Sequence, residues 1–230
     1  MNNKNNKTTI TALYDRKEDA QSALRKLQNM DISRDDISLI ASDAAGEYSR
    51  YHGQDFPTET ENGSAAGAAE GAAVGGLGGL VVGLAALAIP GIGPVLAAGP
   101  IASALVAGGI GAGVGAATGG LFGALTDLGV NEERAGQYAE GVRRGGTLLT
   151  AHVPDNMSSR VMDVLNRHNA VDVEERVSHW RDEGWQEYDS NADPYDMEQI
   201  ERERGMYGVG SRQSTHSTQS TQTTRERARV

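Results

Sequence analysis

Cysteine is absent from all 230 residues, which excludes disulfides, thiolate metal sites and cysteine nucleophiles and suits a reducing compartment. Lysine stops at Lys26, so no later glycine-rich stretch can be a P-loop, a motif that needs its lysine on the phosphates. Aromatic residues make up only 5% and hydrophobic residues 38%, leaving few large side chains to fill a core. From Gly71 to Thr126 there is no charged residue at all. The opening "MNNKNNKTTI" has no apolar run behind its lysines, so a signal peptide is not expected and a cytoplasmic location is.

The net charge of -10 is unevenly spread. Residues 1–50 balance at eight acids and eight bases, residues 177–210 hold nine acids against three arginines, and the last twenty hold four arginines against one glutamate. That profile argues against nucleic acid as a partner, because phosphate-backbone binding needs a broad basic surface. The short basic end "RERARV" reads as the solvated end of a tail.

Segment 8–42, "TTITALYDRKEDAQSALRKLQNMDISRDDISLIAS", alternates Ile10, Ala12 and Tyr14 as a strand does. Helical spacing of Ala20, Ala23, Leu24 and Leu27 follows, then a second strand at Ile37, Leu39 and Ile40. Residues 43–63 are a polar linker. Residues 131–176 repeat the order: a helix capped by Asn131, with Glu132 and Glu133 in its first turn and Arg143 and Arg144 in its last, then a strand "TLLTAHV", a helix "NMSSRVMDVLNRH" and a short strand around Val171 and Val173. Either β-α-β half is too small to bury a core alone. Their union predicts an α+β fold, a ferredoxin-like split β-α-β sandwich of four antiparallel strands with two helices on one face. An acidic aromatic segment occupies 177–207, in which Trp180 and Trp185 are candidates to dock on the domain or on a partner. A Ser/Thr/Gln-rich tail, 208–230, is expected to be disordered, because it has too little apolar surface to offset its ordering entropy.

Between the halves lies the glycine-rich segment, 64–127. Gly67, Gly71, Gly75, Gly79 and Gly83 recur every fourth residue, as do Gly99, Ser103, Ala107, Gly111, Gly115, Gly119 and Gly123. Pro90, Gly91, Gly93 and Pro94 in "IPGIGP" mark a turn between the two series. An inserted antiparallel helical hairpin is predicted, with two bare ridges in contact so that the backbones approach closely and gain dispersion and Cα–H to carbonyl contacts. Each interior glycine costs a helix about 0.8–1 kcal/mol in water, which packing or an apolar environment must offset. The outer faces, Leu77, Val81 and Leu84 on one helix and Ile110, Val114 and Leu121 on the other, then need cover. Two coverings stand open: membrane lipid, or protein, either the domain's own sheet or another copy of the chain. Runs of about 25 residues reach roughly 37 Å at ~1.5 Å per residue, against ~30 Å of hydrocarbon. Their hydrophobicity is modest, and acidic flanks at Glu59, Glu61, Glu70 and Asp127 lack a basic or aromatic anchor.

Enzymatic signatures are missing. "GVGAATG" at 113–119 lacks the dinucleotide-binding spacing and follows no strand, no serine sits in a G-x-S-x-G elbow, and His52, His152, His168, His179 and His216 do not pair at metal-ligand spacing. Neither a catalytic residue nor a cofactor or metal is expected.

The run "AAGAAEGAAVGGLGGLVVGLAALAIPGIGPVLAAGPIASAL", followed by "YAEGVRRGGTLLTAHV" and "HNAVDVEER", resembles bacterial general stress proteins of the 17M-like domain family, over roughly residues 8–176 and the element "WRDEGW". The resemblance implies a small α/β domain carrying a glycine-zipper hairpin in a stress-response protein, and brings with it no catalytic residues, cofactor or substrate. The expectation is a non-enzymatic protein that associates with a membrane through the hairpin, with soluble homo-oligomerisation as the alternative and a small-molecule sensor on the α/β domain as a further one.

Overall fold

In the computed structural model, which describes residues 7–44, 85–89, 91–107 and 120–207, alternation builds the first strand, β1 (Lys7–Tyr14). Its Ile10, Ala12 and Tyr14 are buried on one face and Leu13 on the other. The next element, α1 (Lys17–Gln28), places Glu18 and Asp19 in its positive first turn and buries Ala20, Ala23, Leu24 and Leu27 along one stripe. A 3-10 turn capped by the Ser33 side chain leads into β2 (Ile37–Ser42), which completes a β-α-β unit as its periodicity predicts.

The glycine-rich segment departs from expectation. Its described residues do not form two long helices but β3 (Ala85–Ile89), β4 (Gly93–Ala98), α2 (Pro100–Ala107) and α3 (Gly120–Asp127). Pro90, Pro94 and Pro100 would each break a helix through this region. Val95 and Ala97 instead alternate with outward neighbours, and β4 pairs antiparallel with β2, placing Ala97 opposite Ile40 and Ala98 opposite Leu39. Gly91 and Gly93 do lie at a turn, but one that joins strands. Gly99 is not a ridge position: it links β4 to α2 at φ +83°, and a Cβ there would run into the Ile37 carbonyl. Ser103 is exposed on α2, Ala107 closes that helix and Gly123 belongs to α3, so these four share no single helix. Gly67, Gly71, Gly75, Gly79, Gly83, Gly111, Gly115, Gly119 and Pro90 lie outside the described residues.

Asn131 caps α4 (Glu132–Arg143) as its sequence predicts, its side chain accepting from the Glu133 N–H at 3.0 Å. Then come β5 (Thr147–Pro154), α5 (Asp155–Arg167) and α6 (Val173–Asp182). The expected strand around Val171 and Val173 is replaced by this last helix. Asp172 accepts from the Glu175 N–H and caps α6, with Glu174 and Glu175 in its first turn, so the local signal for a helix start wins. One trace of a strand partner remains: the Val171 N–H donates to the Leu13 carbonyl at the edge of β1, 2.8 Å.

The sheet runs β1-β5-β2-β4-β3, every neighbouring pair antiparallel. Consequently β1 and β2, joined through α1, run parallel with β5 between them. Among the described residues there are five strands rather than four, and helices cover both faces rather than one. Residues of α1 and α5 pack on the face carrying Ile10, Leu39, Leu149 and Val153, while α2, α3, α4 and α6 cover Leu13, Ile40, Val95 and Leu148. Adjacent Leu148 and Leu149 on β5 are both buried, as a strand covered from two sides requires.

The chain divides into two units, residues 1–195 and 196–230, so the segment beginning at residue 177 is shared between them. In the second, α7 (Met197–Met206) starts with a capping box between Asp196 and Gln199. The linker from residue 45 to 63 and the tail, 208–230, lie outside the described residues.

Candidate functional site

Of the sequence-derived candidates that the structure describes, Gly91, Gly93, Trp180 and Trp185 lie along one stretch of chain in the first unit, while Gly99 lies against β2. Gly91 and Gly93 face an irregular stretch of chain, residues 184–195, which crosses them with its backbone and with Pro194: a Cβ on Gly91 would stand 2.6 Å from the Ser190 carbonyl oxygen, and one on Gly93 3.0 Å from the Pro194 Cβ. At Gly91, with φ +74°, only glycine satisfies both the turn and this crossing. Trp180, expected as a docking residue, is 1% exposed and sits in the domain's own core, with Trp185 edge-on to it at 5.7 Å between ring centroids. Both tryptophans pack on the domain itself, Trp180 within the core and Trp185 against it.

Around them is a buried cluster of charge that composition did not foretell. Glu140 on α4 is fully buried, and its carboxylate accepts from Arg144 Nε at 2.7 Å and from Arg143 Nη1 at 3.2 Å. Arg144, 7% exposed, also reaches Glu183 at 3.3 Å, and its guanidinium lies 4.8 Å from the Trp180 ring centre and 5.2 Å from that of Tyr195. Arg143 lies 5.0 Å from the Tyr195 ring and donates from Nε to the Asp193 carbonyl at 3.2 Å. These three charges were legible as a helix with basic residues in its last turn, and the i to i+4 step from Glu140 to Arg144 is the spacing of a helical ion pair. Their burial was not legible, because the residues that cover them come from beyond residue 179.

Tyr188 stacks on Phe122 of α3 at 6.3 Å between centroids. Burial, reinforced by the negative charge of Glu140 and opposed by Arg143, pushes its phenol up to about 12. Burial likewise raises Tyr14, whose hydroxyl donates to the Leu165 carbonyl at 3.2 Å, and Tyr138, whose hydroxyl donates to the Thr11 carbonyl at 2.9 Å. A second ion pair, Arg176 to Asp15 through two bonds of 2.8 Å, ties α6 to the corner between β1 and α1. On the α4 face of the sheet, Thr9 meets His152 Nδ1 at 3.0 Å, and Thr11 lies opposite Thr150 in the strand register. In chemical terms the charged groups and phenols are matched partners, carboxylates bonded to guanidiniums and phenols kept protonated at neutral pH, whereas the buried Thr11 and Thr150 hydroxyls have no hydrogen-bond partner among the described residues. The arrangement holds chain segments against one another.

Among the described residues, no group of three or more His, Cys, Asp or Glu could hold a metal ion. No protein-family model, curated protein or solved structure matches the chain.

Proposed function

We propose that this is a non-enzymatic general stress-response protein that acts by association, its glycine-rich segment bringing it to a membrane surface from the cytoplasmic side. One observation carries the reading. Of the uncharged run from Gly71 to Thr126, the domain's own core takes up Ile89, Ile92, Val95, Ile101, Leu105, Leu121 and Leu125, all from described residues. Residues 71–84 and 108–119 are equally free of charge and carry Val74, Leu77, Leu80, Val81, Val82, Leu84, Ile110 and Val114. Apolar sequence of this extent calls for cover by lipid or protein.

Depth follows from length. Even as ideal helices, at ~1.5 Å per residue, these two stretches would reach only about 21 and 18 Å, short of the ~30 Å hydrocarbon core. Among the described residues no helix is long and apolar enough to cross a membrane. A shallow, surface-bound attachment suits both facts better than a span. The α/β domain that carries the segment is read as a ferredoxin-like split β-α-β, on the strength of the parallel β1 and β2 joined through α1 with β5 between them.

Self-association is the second reading, favoured by β3. It ends the sheet, and among the described residues its only strand partner is β4, so it offers a row of backbone groups to a second copy. Flotation of the full chain with phospholipid vesicles, alongside sedimentation velocity without them, separates the two. Wild-type protein is expected to float, and Leu77→Asp with Val81→Asp, which put charge into the apolar stretch, to abolish flotation; a self-associating protein sediments as an oligomer and stays behind. A folded monomer that does neither overturns both readings.

A further inference from the structure

Residues 184–195 contain no helix or strand, yet they are fastened along their length. The Trp185 N–H donates to the Trp180 carbonyl at 2.9 Å, Tyr188 stacks on Phe122, the Ser190 backbone crosses Gly91, and Arg143 holds the Asp193 carbonyl. The partners of this strap are not random. Phe122 belongs to α3 and Gly91 to the turn between β3 and β4, both within the glycine-rich segment, whereas Arg143 belongs to α4. The strap therefore clamps the described part of that segment to the α/β domain.

Two features set it apart from ordinary core. The Trp185 indole N–H is buried with no acceptor among the described residues, so closure leaves a desolvated donor unsatisfied and is held less tightly than its contacts alone would give. The strap is also the last piece of the first unit, which ends at Tyr195, and with no helix or strand of its own it has no regular ladder of backbone hydrogen bonds to hold it in place.

We propose that residues 184–195 are a latch. Closed, it pins the β3–β4 turn and α3 against the domain and keeps Ile89, Val95 and Leu121 in the core; lifted, it lets the β3–β4 hairpin and α3 leave the sheet and join the membrane association. The second half of this statement rests on the function proposed above.

The test uses the absence of cysteine. A Cβ on Gly136 would stand 3.4 Å from the Tyr188 Cβ, close to the roughly 3.8 Å found in disulfides, so Gly136→Cys with Tyr188→Cys in the full chain makes a single bond that locks the strap onto α4. Oxidised, this protein is expected to show amide exchange in β3, β4 and α3 about tenfold slower than when reduced, and flotation with vesicles reduced by about tenfold. Tyr195→Ser, which keeps Tyr188 and Gly136 intact, is expected to raise exchange and flotation together. Equal exchange in the oxidised and reduced forms overturns the latch, whatever the vesicles show. Different exchange with equal flotation overturns its coupling to association. If exchange differs and even wild-type protein does not float, the membrane reading fails while the latch itself stands.

Discussion

Glu140 is a single carboxylate holding two guanidiniums out of water, and that makes it more sensitive than any surface acid. Removing one member of a buried pair strands the other's charge, an effect of about 3–5 kcal/mol, whereas exposed pairs contribute at most about 1 kcal/mol. Glu140→Gln is expected to lower stability by about that larger amount in urea unfolding, and Glu174→Gln, on the exposed start of α6, by less than about 1 kcal/mol. Tyr188 gives a different signature. Its folded pKa of about 12 lies above the ordinary value of 10.0, so the stability it contributes is complete below pH 10 and is lost as pH rises through 12, where the unfolded chain releases the proton first. The alkaline fall in melting temperature should accordingly be shallower in Tyr188→Phe than in the wild type, measured by circular dichroism between pH 9 and roughly pH 12.

Capping and periodicity act within a few residues, and wherever they were strong the elements came out as expected: β1, α1, β2, the Asn131-capped α4, β5 and α5. Val171 and Val173 show how a strand pattern loses to a cap, since Asp172 with Glu174 and Glu175 starts a helix more effectively than two valines start a strand. The described part of the glycine-rich segment shows the reverse failure, a predicted helix replaced by strands at residues 85–89 and 93–98. Gly99 was the misleading position. Its place in the series suggested a helix ridge, but its backbone is left-handed and pressed against β2. Gly99→Ala therefore distinguishes the two accounts. Ridge packing predicts a mild effect, while the observed turn predicts a loss of about 2–5 kcal/mol, from about 1–2 for the left-handed backbone and about 1–3 for overpacking. Chemical denaturation of the variant reads the difference directly.

A chain of net charge -10 approaching an anionic bilayer meets repulsion, and any attachment must come from apolar surface. Raising salt from about 0.01 to 0.15 M shortens the screening length from ~30 to ~8 Å, so flotation with anionic vesicles should strengthen with salt. Weakening would mean that basic residues make the contact. By itself the sequence determined the excluded chemistries, the β-α-β unit and the helix caps, because composition, periodicity and capping depend only on near neighbours. Tertiary structure alone decided the rest. Past β5, the free edge of β2 needed hydrogen-bond partners, and residues 93–98, barred from helix by Pro94 and flanked in sequence by Pro90 and Pro100, supplied them. Leu13, Ile40 and Leu148 presented a second apolar face, which drew α2, α3, α4 and α6 over it and buried Trp180 with the charges of Glu140 and Arg144. Such pairings join residues dozens of positions apart, and no local pattern encodes which distant edge or face a segment will meet.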